Sequence, residues 1–270
     1  MTKPAHIIAP ALPGTRQRAN GAASAHHQPS DSRRWPARLD LLQSLSGMLL
    51  ALFLIAHMFF VSSILISQEA FYRVARFFEG GWLLGKPYPI LVSFVAAGIT
   101  ALLVLHAWLA LRKFPAGYRQ YRAFVAHKNR LRHDDTSLWW LQVWTGFALF
   151  FMATIHLYDM LTQPDMIGPF ASADRVWSGN MWPLYLMLLF AVELHGSIGL
   201  YRLALKWGWF SSDKPDADRR RLRHVRHLFS AFFITLGLLT LIAYINLGRE
   251  HAEHLGERYQ PVGATAAERR

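Results

Sequence analysis

Five apolar stretches restrict what this chain can fold into more than any other feature. They cover residues 41–66, 89–111, 138–161, 181–205 and 228–247. Each is long enough to cross the hydrocarbon core of a bilayer, where only helices and closed barrels satisfy their own backbone hydrogen bonds. The sequence therefore predicts an all-α integral membrane bundle of five transmembrane helices.

The segments outside these spans are polar. Residues 1–39 are rich in Pro, Ala, Ser and Arg, which is typical of a mostly disordered tail. The first apolar stretch starts too late and is too long for a cleaved signal peptide. We expect a tail over 1–39, a membrane domain over 40–248 and an external tail over 249–270. Residues 115–130 are too polar to span and are predicted to form an amphipathic helix on the inner surface.

The net charge of +12 is concentrated in alternate loops. Lys and Arg number 6 in 1–40, 7 in 112–133 and 8 in 202–226, but 3 in 68–88 and 1 in 162–180. This alternation accounts for the charge without nucleic acid, and the positive-inside rule places the N-terminus in the cytoplasm and the C-terminus outside. The basic loops reflect either topology and attraction to anionic membrane lipid, or in addition a soluble partner docked on that face. The chain has no cysteine, which excludes disulfides, Cys-ligated iron–sulfur clusters and thiol catalysis from it.

Four of the 13 histidines lie inside the apolar stretches, each on a different one. His57 and His156 fall in the outer half of spans one and three, whereas His106 and His195 fall in the inner half of spans two and four. At the helical rise of 1.5 Å per residue, the two levels are expected to lie roughly 10–15 Å apart. Two imidazoles at one depth can hold one iron from opposite faces, so the spacing predicts two stacked haem b groups. A backbone carbonyl one turn back is a candidate acceptor for the second ring N–H.

Histidines at membrane depth also occur in structural hydrogen bonds and proton relays, and two such pairs could form a di-zinc site. The di-zinc site is disfavoured because no second carboxylate or Cys accompanies each pair. Gly47 precedes His57 by ten residues, and Gly146 precedes His156 by the same number. A missing Cβ would let a flat macrocycle approach the helix, but small residues also serve ordinary helix packing.

Two carboxylates are candidates for proton transfer. Glu193 lies two residues before His195, which places it about 200° away around the helix. An intramembrane carboxylate is costly and is a functional candidate, with a structural hydrogen bond as the alternative. Glu79, in the outer loop near the level of the outer pair, would accept a proton from a quinol or is simply solvated. Asp159, three residues after His156, has no assigned role.

Five residues near the span ends are candidates for contacting haem propionates, or else anchor the helices at the headgroups. They are Gln43, Ser44, Trp139, Arg175 and Lys206.

Long segments of the sequence resemble the dihaem cytochrome b subunit of quinol:fumarate reductases, of the single-chain, five-helix type found in epsilonproteobacteria. These segments are LDLLQSLSGMLLALFLIAHMFFVSSIL, LHAWLALRKFPAGYRQY, DTSLWWLQVWTGFALFF, IHLYDMLTQP and MWPLYLMLLFAVELHGSIGLYRLALKWGWF. The resemblance covers residues 38–210. The tails, part of the loop after Gly81 and span five match less closely.

This resemblance implies the membrane subunit of a menaquinol:fumarate oxidoreductase in the bacterial inner membrane. Its partners would be an iron–sulfur subunit and a FAD-containing flavoprotein subunit on the cytoplasmic face, with a dimer of heterotrimers as an option. It also implies haem ligation by the same histidine pairs, menaquinol oxidation at Glu79, proton transfer by Glu193 and propionate contacts by the five residues above. Asp159 departs from the apolar residue expected there.

Three further functions are weighed against this one. The first is a succinate:quinone reductase subunit working in the reverse direction. The second is a b-type anchor of another respiratory dehydrogenase. The third is a haem-free transporter whose histidines carry protons.

Overall fold

The computed structural model describes residues 31–131 and 134–261, and within them the chain is helical with no strand. The α-helices of this part are α1 (Asp31–Val61), α2 (Gln68–Phe78), α3 (Gly81–Leu84), α4 (Ile90–Leu111), α5 (Tyr118–Leu131), α6 (Asp134–Thr162), α7 (Pro169–Val176), α8 (Trp182–Trp207) and α9 (Pro215–Glu250). Short 3₁₀ helices follow α1 (Ser62–Leu65) and α9 (Ala252–His254). The all-α prediction is confirmed. Most of the predicted N-terminal tail and the last residues, 262–270, lie outside the described residues.

Five of these helices are long and apolar enough to cross a membrane, as the sequence predicts. The candidate spans are Arg34–Leu65, Ile90–Leu111, Thr136–Thr162, Trp182–Trp207 and Pro215–Glu250. Large apolar side chains such as Leu52, Phe94, Phe151 and Met187 are exposed on them. A helix that is apolar on its exposed side is typical of a membrane span, where lipid covers that side.

Two of the long helices begin ten or more residues before the apolar stretch that predicts them. The sequence predicts a loop over the basic segment 202–226, but α9 begins at Pro215 and is 36 residues long. Proline is pre-organised for the first helical position, and Asp216 and Asp218 in the first turn interact favourably with the helix dipole. Helix α1 likewise begins at Asp31, inside the segment expected to be a tail. Hydropathy marks only the apolar part of a helix, and both helices continue beyond it.

The short helices α2, α3 and α7 lie in the connections between α1 and α4 and between α6 and α8. We call this the short-helix end of the bundle. Helix α2 is capped by Ser67, whose hydroxyl accepts the Ala70 N–H at 2.9 Å. Gly80 joins α2 to α3 with a φ of 79°, in the left-handed region that favours glycine. Helix α5 lies in the connection at the other end, where the sequence predicts an amphipathic helix.

The opposite end is basic. Asp40 near the start of α1 forms ion pairs with Arg112 at 2.8 Å and Lys113 at 2.9 Å, both just after α4. Lys206, in the last turn of α8, donates to the Asp40 carbonyl at 3.3 Å. We call this the basic end. The long helices pack in chain order between the two ends, α1 on α4, α4 on α6, α6 on α8 and α8 on α9, and α1 contacts α8 and α9 to close the ring.

Candidate functional site

A cavity of about 1270 Å³ lies inside the ring of long helices. Its wall is mostly apolar, and α1, α4, α6 and α8 each bring one histidine to it: His57, His106, His156 and His195. The pocket of one drug-sized ligand measures roughly 300–1,000 Å³, so this cavity has room for more than one large group. It extends from Ser44 and Lys206 at the basic end to Arg175 and Tyr185 at the short-helix end.

The histidine pair nearer the short-helix end joins α1 to α6. The ring centroids of His57 and His156 lie 6.0 Å apart, with planes inclined by 57°. Phe53 stacks on His57 at 5.6 Å, and Tyr185 meets the His156 ring edge-on at 5.5 Å. The Nδ1 atom of His156 is buried, with no hydrogen-bond partner in the described part of the chain.

The second pair joins α4 to α8 nearer the basic end. The ring centroids of His106 and His195 lie 6.4 Å apart, with planes inclined by 87°. The structure thus brings together the members of each pair that residue depth predicts. Whether they ligate iron stays a prediction.

Each imidazole of this second pair also has a hydrogen-bond partner on a neighbouring helix. Nδ1 of His195 lies 2.9 Å from the carbonyl oxygen of Gln142 on α6. Because a carbonyl only accepts, Nδ1 carries the proton and the lone pair of Nε2 is free. Nδ1 of His106 lies 3.1 Å from Oγ of Ser46 on α1, whose hydroxyl donates to the Gln43 carbonyl at 3.1 Å, so Nδ1 is again the donor. For these two residues, the prediction of a backbone acceptor one turn back on the same helix is wrong, because both partners lie on a neighbouring helix.

Gly47 and Gly146 make room for the same two imidazoles. A Cβ on Gly146 would lie 2.9 Å from Cε1 of His195, and a Cβ on Gly47 would lie 2.8 Å from Cε1 of His106. Each glycine therefore faces an imidazole ring of another helix. The ten-residue spacing to the histidine on its own helix does not describe this contact. Gly146 and Gln142 are one turn apart on α6, so the His195 ring is held between a bare Cα and its hydrogen-bond acceptor.

Both pairs fit axial ligation of an iron held in a flat macrocycle. Two imidazoles that each bind one metal ion at about 2 Å have centroids roughly 6 Å apart, which is the separation in both pairs. A haem supplies the equatorial ligands itself and needs only two axial groups from the protein. A closed zinc site needs four protein ligands, and the described residues contain no cluster of three or more His, Cys, Asp or Glu side chains.

Four of the five propionate candidates meet at the basic end of the cavity. Lys206 Nζ donates to the Ser44 hydroxyl at 2.9 Å, and both side chains line the cavity. Gln43 and Trp139 line it as well, and Oε1 of Gln43 is buried without a partner in the described residues. A cation, a hydroxyl and an amide at one end of an apolar cavity can bind a carboxylate there.

Arg175 is the fifth candidate and lies at the opposite end of the cavity. It stands in the last turn of α7 and donates from Nη2 to the Met166 carbonyl at 2.7 Å. Its guanidinium acts electrostatically on His156 and Tyr185. The cavity therefore carries a cation at each end, one near each histidine pair.

Glu79 lies directly after α2 and is fully buried. Its Oε2 pairs with Nη1 of Arg76 at 2.6 Å. Burial raises the pKa of the Glu79 carboxyl above its ordinary range, while the charges of Arg76 and Arg258 offset part of the rise. Glu79 is not part of the cavity wall, which Ala75 and Phe78 form beside it. A carboxyl whose pKa is raised towards neutrality is suited to accept and release protons.

Glu193 is buried on α8 and lines a separate cavity of about 40 Å³ between α1, α8 and α9. The polar groups that act on its carboxylate are the hydroxyls of Ser197 and Ser230 and the guanidinium of Arg226. Neither carboxylate oxygen has a hydrogen bond of good geometry to the described residues. A cavity above roughly 10–15 Å³ can hold a water molecule. The Glu193 carboxylate therefore lies outside the cavity that the histidines line, beside a space large enough for a water molecule.

Sequence reasoning missed two contributors to the site. Ser46 orients His106, and its position beside Gly47 in the word SLSG is a signal that could have found it. The Gln142 carbonyl orients His195, and no sequence signal marks a backbone acceptor. Asp159 is half-buried on α6, and nothing around it assigns a role.

Comparison with known proteins gives consistent matches. Residues 118–236 match the family described as the succinate dehydrogenase/fumarate reductase transmembrane subunit. A fumarate reductase cytochrome b subunit of Helicobacter pylori (strain ATCC 700392 / 26695) is 59% identical over 218 residues, which is 81% of this chain and 84% of that protein. The protein of the same name in Wolinella succinogenes is 54% identical over 220 residues, 82% of this chain and 86% of that protein.

Proposed function

This chain belongs to the succinate dehydrogenase/fumarate reductase transmembrane subunit family, and from that membership we propose that it is the dihaem membrane anchor of a menaquinol:fumarate reductase. It would oxidise menaquinol at the short-helix end and deliver the electrons to an iron–sulfur subunit and a FAD-containing flavoprotein at the basic end. Each menaquinol gives up two electrons and two protons, and fumarate takes up two of each to form succinate on the partner. The observation that carries the proposal is the pairing of four intramembrane histidines, from four helices, across one cavity.

The residues would hold two haem b groups, one at each pair. His57 and His156 would hold the haem at the short-helix end, and His106 and His195 would hold the haem at the basic end. When bound, the two haems supply one-electron transfer between the quinol and the partner's iron–sulfur clusters, since bis-histidine ligation leaves no open position for oxygen. The Gln142 carbonyl fixes the ring of His195 so that Nε2 faces the cavity.

The polar residues at the cavity ends would bind the propionates. Ser44 and Lys206, together with Gln43 and Trp139, form the polar end of the cavity below the His106–His195 pair. Arg175 is the corresponding cation at the other end. A charge-assisted hydrogen bond to a carboxylate is about twice as strong as a neutral one, so these contacts would orient the macrocycles as well as retain them.

The two buried carboxylates would handle protons. Glu79, next to the cavity wall at the short-helix end, would accept a proton as menaquinol is oxidised and release it to that side. Glu193 would carry protons towards the basic end between α8 and α9. Moving one charge across 100 mV is worth about 2.3 kcal/mol. Protons that accompany the electrons through Glu193 would cancel that cost, because no net charge would then cross the membrane.

The basic end would face the cytoplasm of a bacterium, with the chain in the inner membrane. Lys and Arg are concentrated at this end, as the positive-inside rule requires. The flavoprotein and iron–sulfur partners would then dock on the basic end, near Arg112 and Lys113. A succinate:quinone reductase is the second candidate function, since the family includes both enzymes and the same residues serve electron flow in either direction.

A dithionite-reduced spectrum of the purified complex, with its haem-to-protein ratio, tests this function. Two b-type haems are expected per chain. His57→Ala and His106→Ala should each remove one haem and leave the other, because each belongs to a different pair. A colourless chain, or one haem per chain with all four histidines intact, would refute the dihaem assignment. The ratio of quinol:fumarate to succinate:quinone turnover separates the two candidate functions.

A further inference from the structure

The short helix α7 is held to the end of α9 by a buried hydrogen bond that the proposed function does not use. Nδ1 of His251, directly after α9, lies 2.8 Å from Oδ1 of Asp174 on α7. The two side chains are only 8% and 14% exposed. Phe170, also on α7, stacks on the His251 ring at 4.2 Å. The second oxygen of Asp174 accepts the backbone N–H of Gly256 at 3.3 Å.

The backbones of the two helices are in direct contact beside this pair. A Cβ on Gly248 of α9 would lie 2.5 Å from the carbonyl oxygen of Ala173 on α7. Ala173 itself is fully buried. The backbone contact and the hydrogen bond therefore fix both the distance between the helices and the rotation of α7 about its own axis.

The rotation of α7 decides where Arg175, the residue after Asp174, points. Consecutive helical residues point about 100° apart, so Asp174 faces α9 while Arg175 faces the cavity. Helix α7 has only eight residues, and helices this short are not stable by themselves in water. Its orientation must come from tertiary contacts, and the His251–Asp174 hydrogen bond is such a contact, one residue from Arg175.

We propose that His251 and Asp174 are positioning residues that hold the Arg175 guanidinium in the cavity beside the His57–His156 pair. Through that guanidinium they would tune the redox group that this pair binds. A positive charge near a haem stabilises its reduced form, which carries one positive charge fewer. The inference rests on the proposed function in one respect, that the His57–His156 pair holds a haem.

Redox titration of both haems in the intact complex tests the inference. His251→Ala, which leaves the Asp174 carboxylate in place, should lower the midpoint potential of the haem at the His57–His156 pair and leave the potential of the other haem unchanged. His251→Gln is the conservative variant: its amide N–H can still donate to Asp174, so it should shift the same potential in the same direction by less. His254→Ala is the matched control, because His254 lies in the same segment, while the Asp174 carboxylate pairs with His251.

A double variant separates positioning from general loosening of the fold. Arg175→Gln should lower the same potential, and adding His251→Ala to it should lower it no further, because the guanidinium that the His251–Asp174 contact positions is already absent. Additive shifts, shifts of both haems alike, or two unshifted haems in His251→Ala would overturn the inference. A wild-type complex without two haems would instead refute the proposed function.

Discussion

Replacing Gly146 by alanine should selectively weaken the haem at the His106–His195 pair. The new Cβ would lie 2.9 Å from Cε1 and 3.2 Å from Nδ1 of His195. Ordinary carbon contacts start near 3.5 Å, so the ring and the helix must separate by roughly 0.6 Å. Metal–ligand distances tolerate only about 0.2 Å. The ring cannot withdraw freely, because the Gln142 carbonyl on the same helix holds it at 2.9 Å.

The net cost follows from two opposing contributions. Overpacking of this kind costs about 1–3 kcal/mol, whereas alanine is a better helix former than glycine by up to about 1 kcal/mol. A net cost of about 1–2 kcal/mol corresponds to roughly a 5- to 30-fold weaker retention of that haem. Gly47→Ala should behave alike, since its Cβ would lie 2.8 Å from the His106 ring.

The assay is the haem-to-protein ratio of the purified complex, with separate redox titration of the two haems. Gly98→Ala on α4 is the matched control, because a Cβ there would meet nothing within 4 Å. We expect loss or altered potential of one haem in Gly146→Ala, and two normal haems in Gly98→Ala. Two normal haems in Gly146→Ala would show that the contact between glycine and imidazole does not constrain the site.

Three further predictions concern single polar groups. Ser46→Ala removes the acceptor of the His106 Nδ1–H, so haem retention should fall about 10-fold or more, as for other groups that orient a ligand; isothermal or competition haem titration measures it. Glu79 has a raised pKa in the folded chain, so the folded state binds more protons than the unfolded state above the ordinary Glu pKa of about 4.3. The stability of the complex should therefore fall as pH rises from that value through the folded pKa. Melting temperatures measured at several pH values should show this slope in the wild type and lose it in Glu79→Gln. An unchanged slope in the variant would contradict the burial argument. Glu193→Gln should slow or abolish quinol-driven fumarate reduction while both haem spectra remain, and unimpaired turnover would discard the proton-transfer role.

The sequence by itself determined the five spans and which histidines come together. Five spans follow from apolar length, which is a local property of the chain. The pairing of His57 with His156 and of His106 with His195 follows from depth, because position along a membrane helix is fixed by residue count at 1.5 Å per residue. The basic loops are likewise found in the sequence alone, by counting Lys and Arg between the spans.

Contacts between distant parts of the chain were decided only by the tertiary structure. The Gln142 carbonyl and the Gly146 Cα both meet the His195 ring about 50 residues away, and residue count gives depth but not rotation about each helix axis. The same holds for the His251–Asp174 pair, 77 residues apart. Helix α9 extends into a polar segment that hydropathy had marked as a loop. The depth of a residue in the membrane depends on its position along a spanning helix, so it can be counted from the sequence. The rotation of each helix and the identity of its neighbours depend on how the side chains of all five spans pack together.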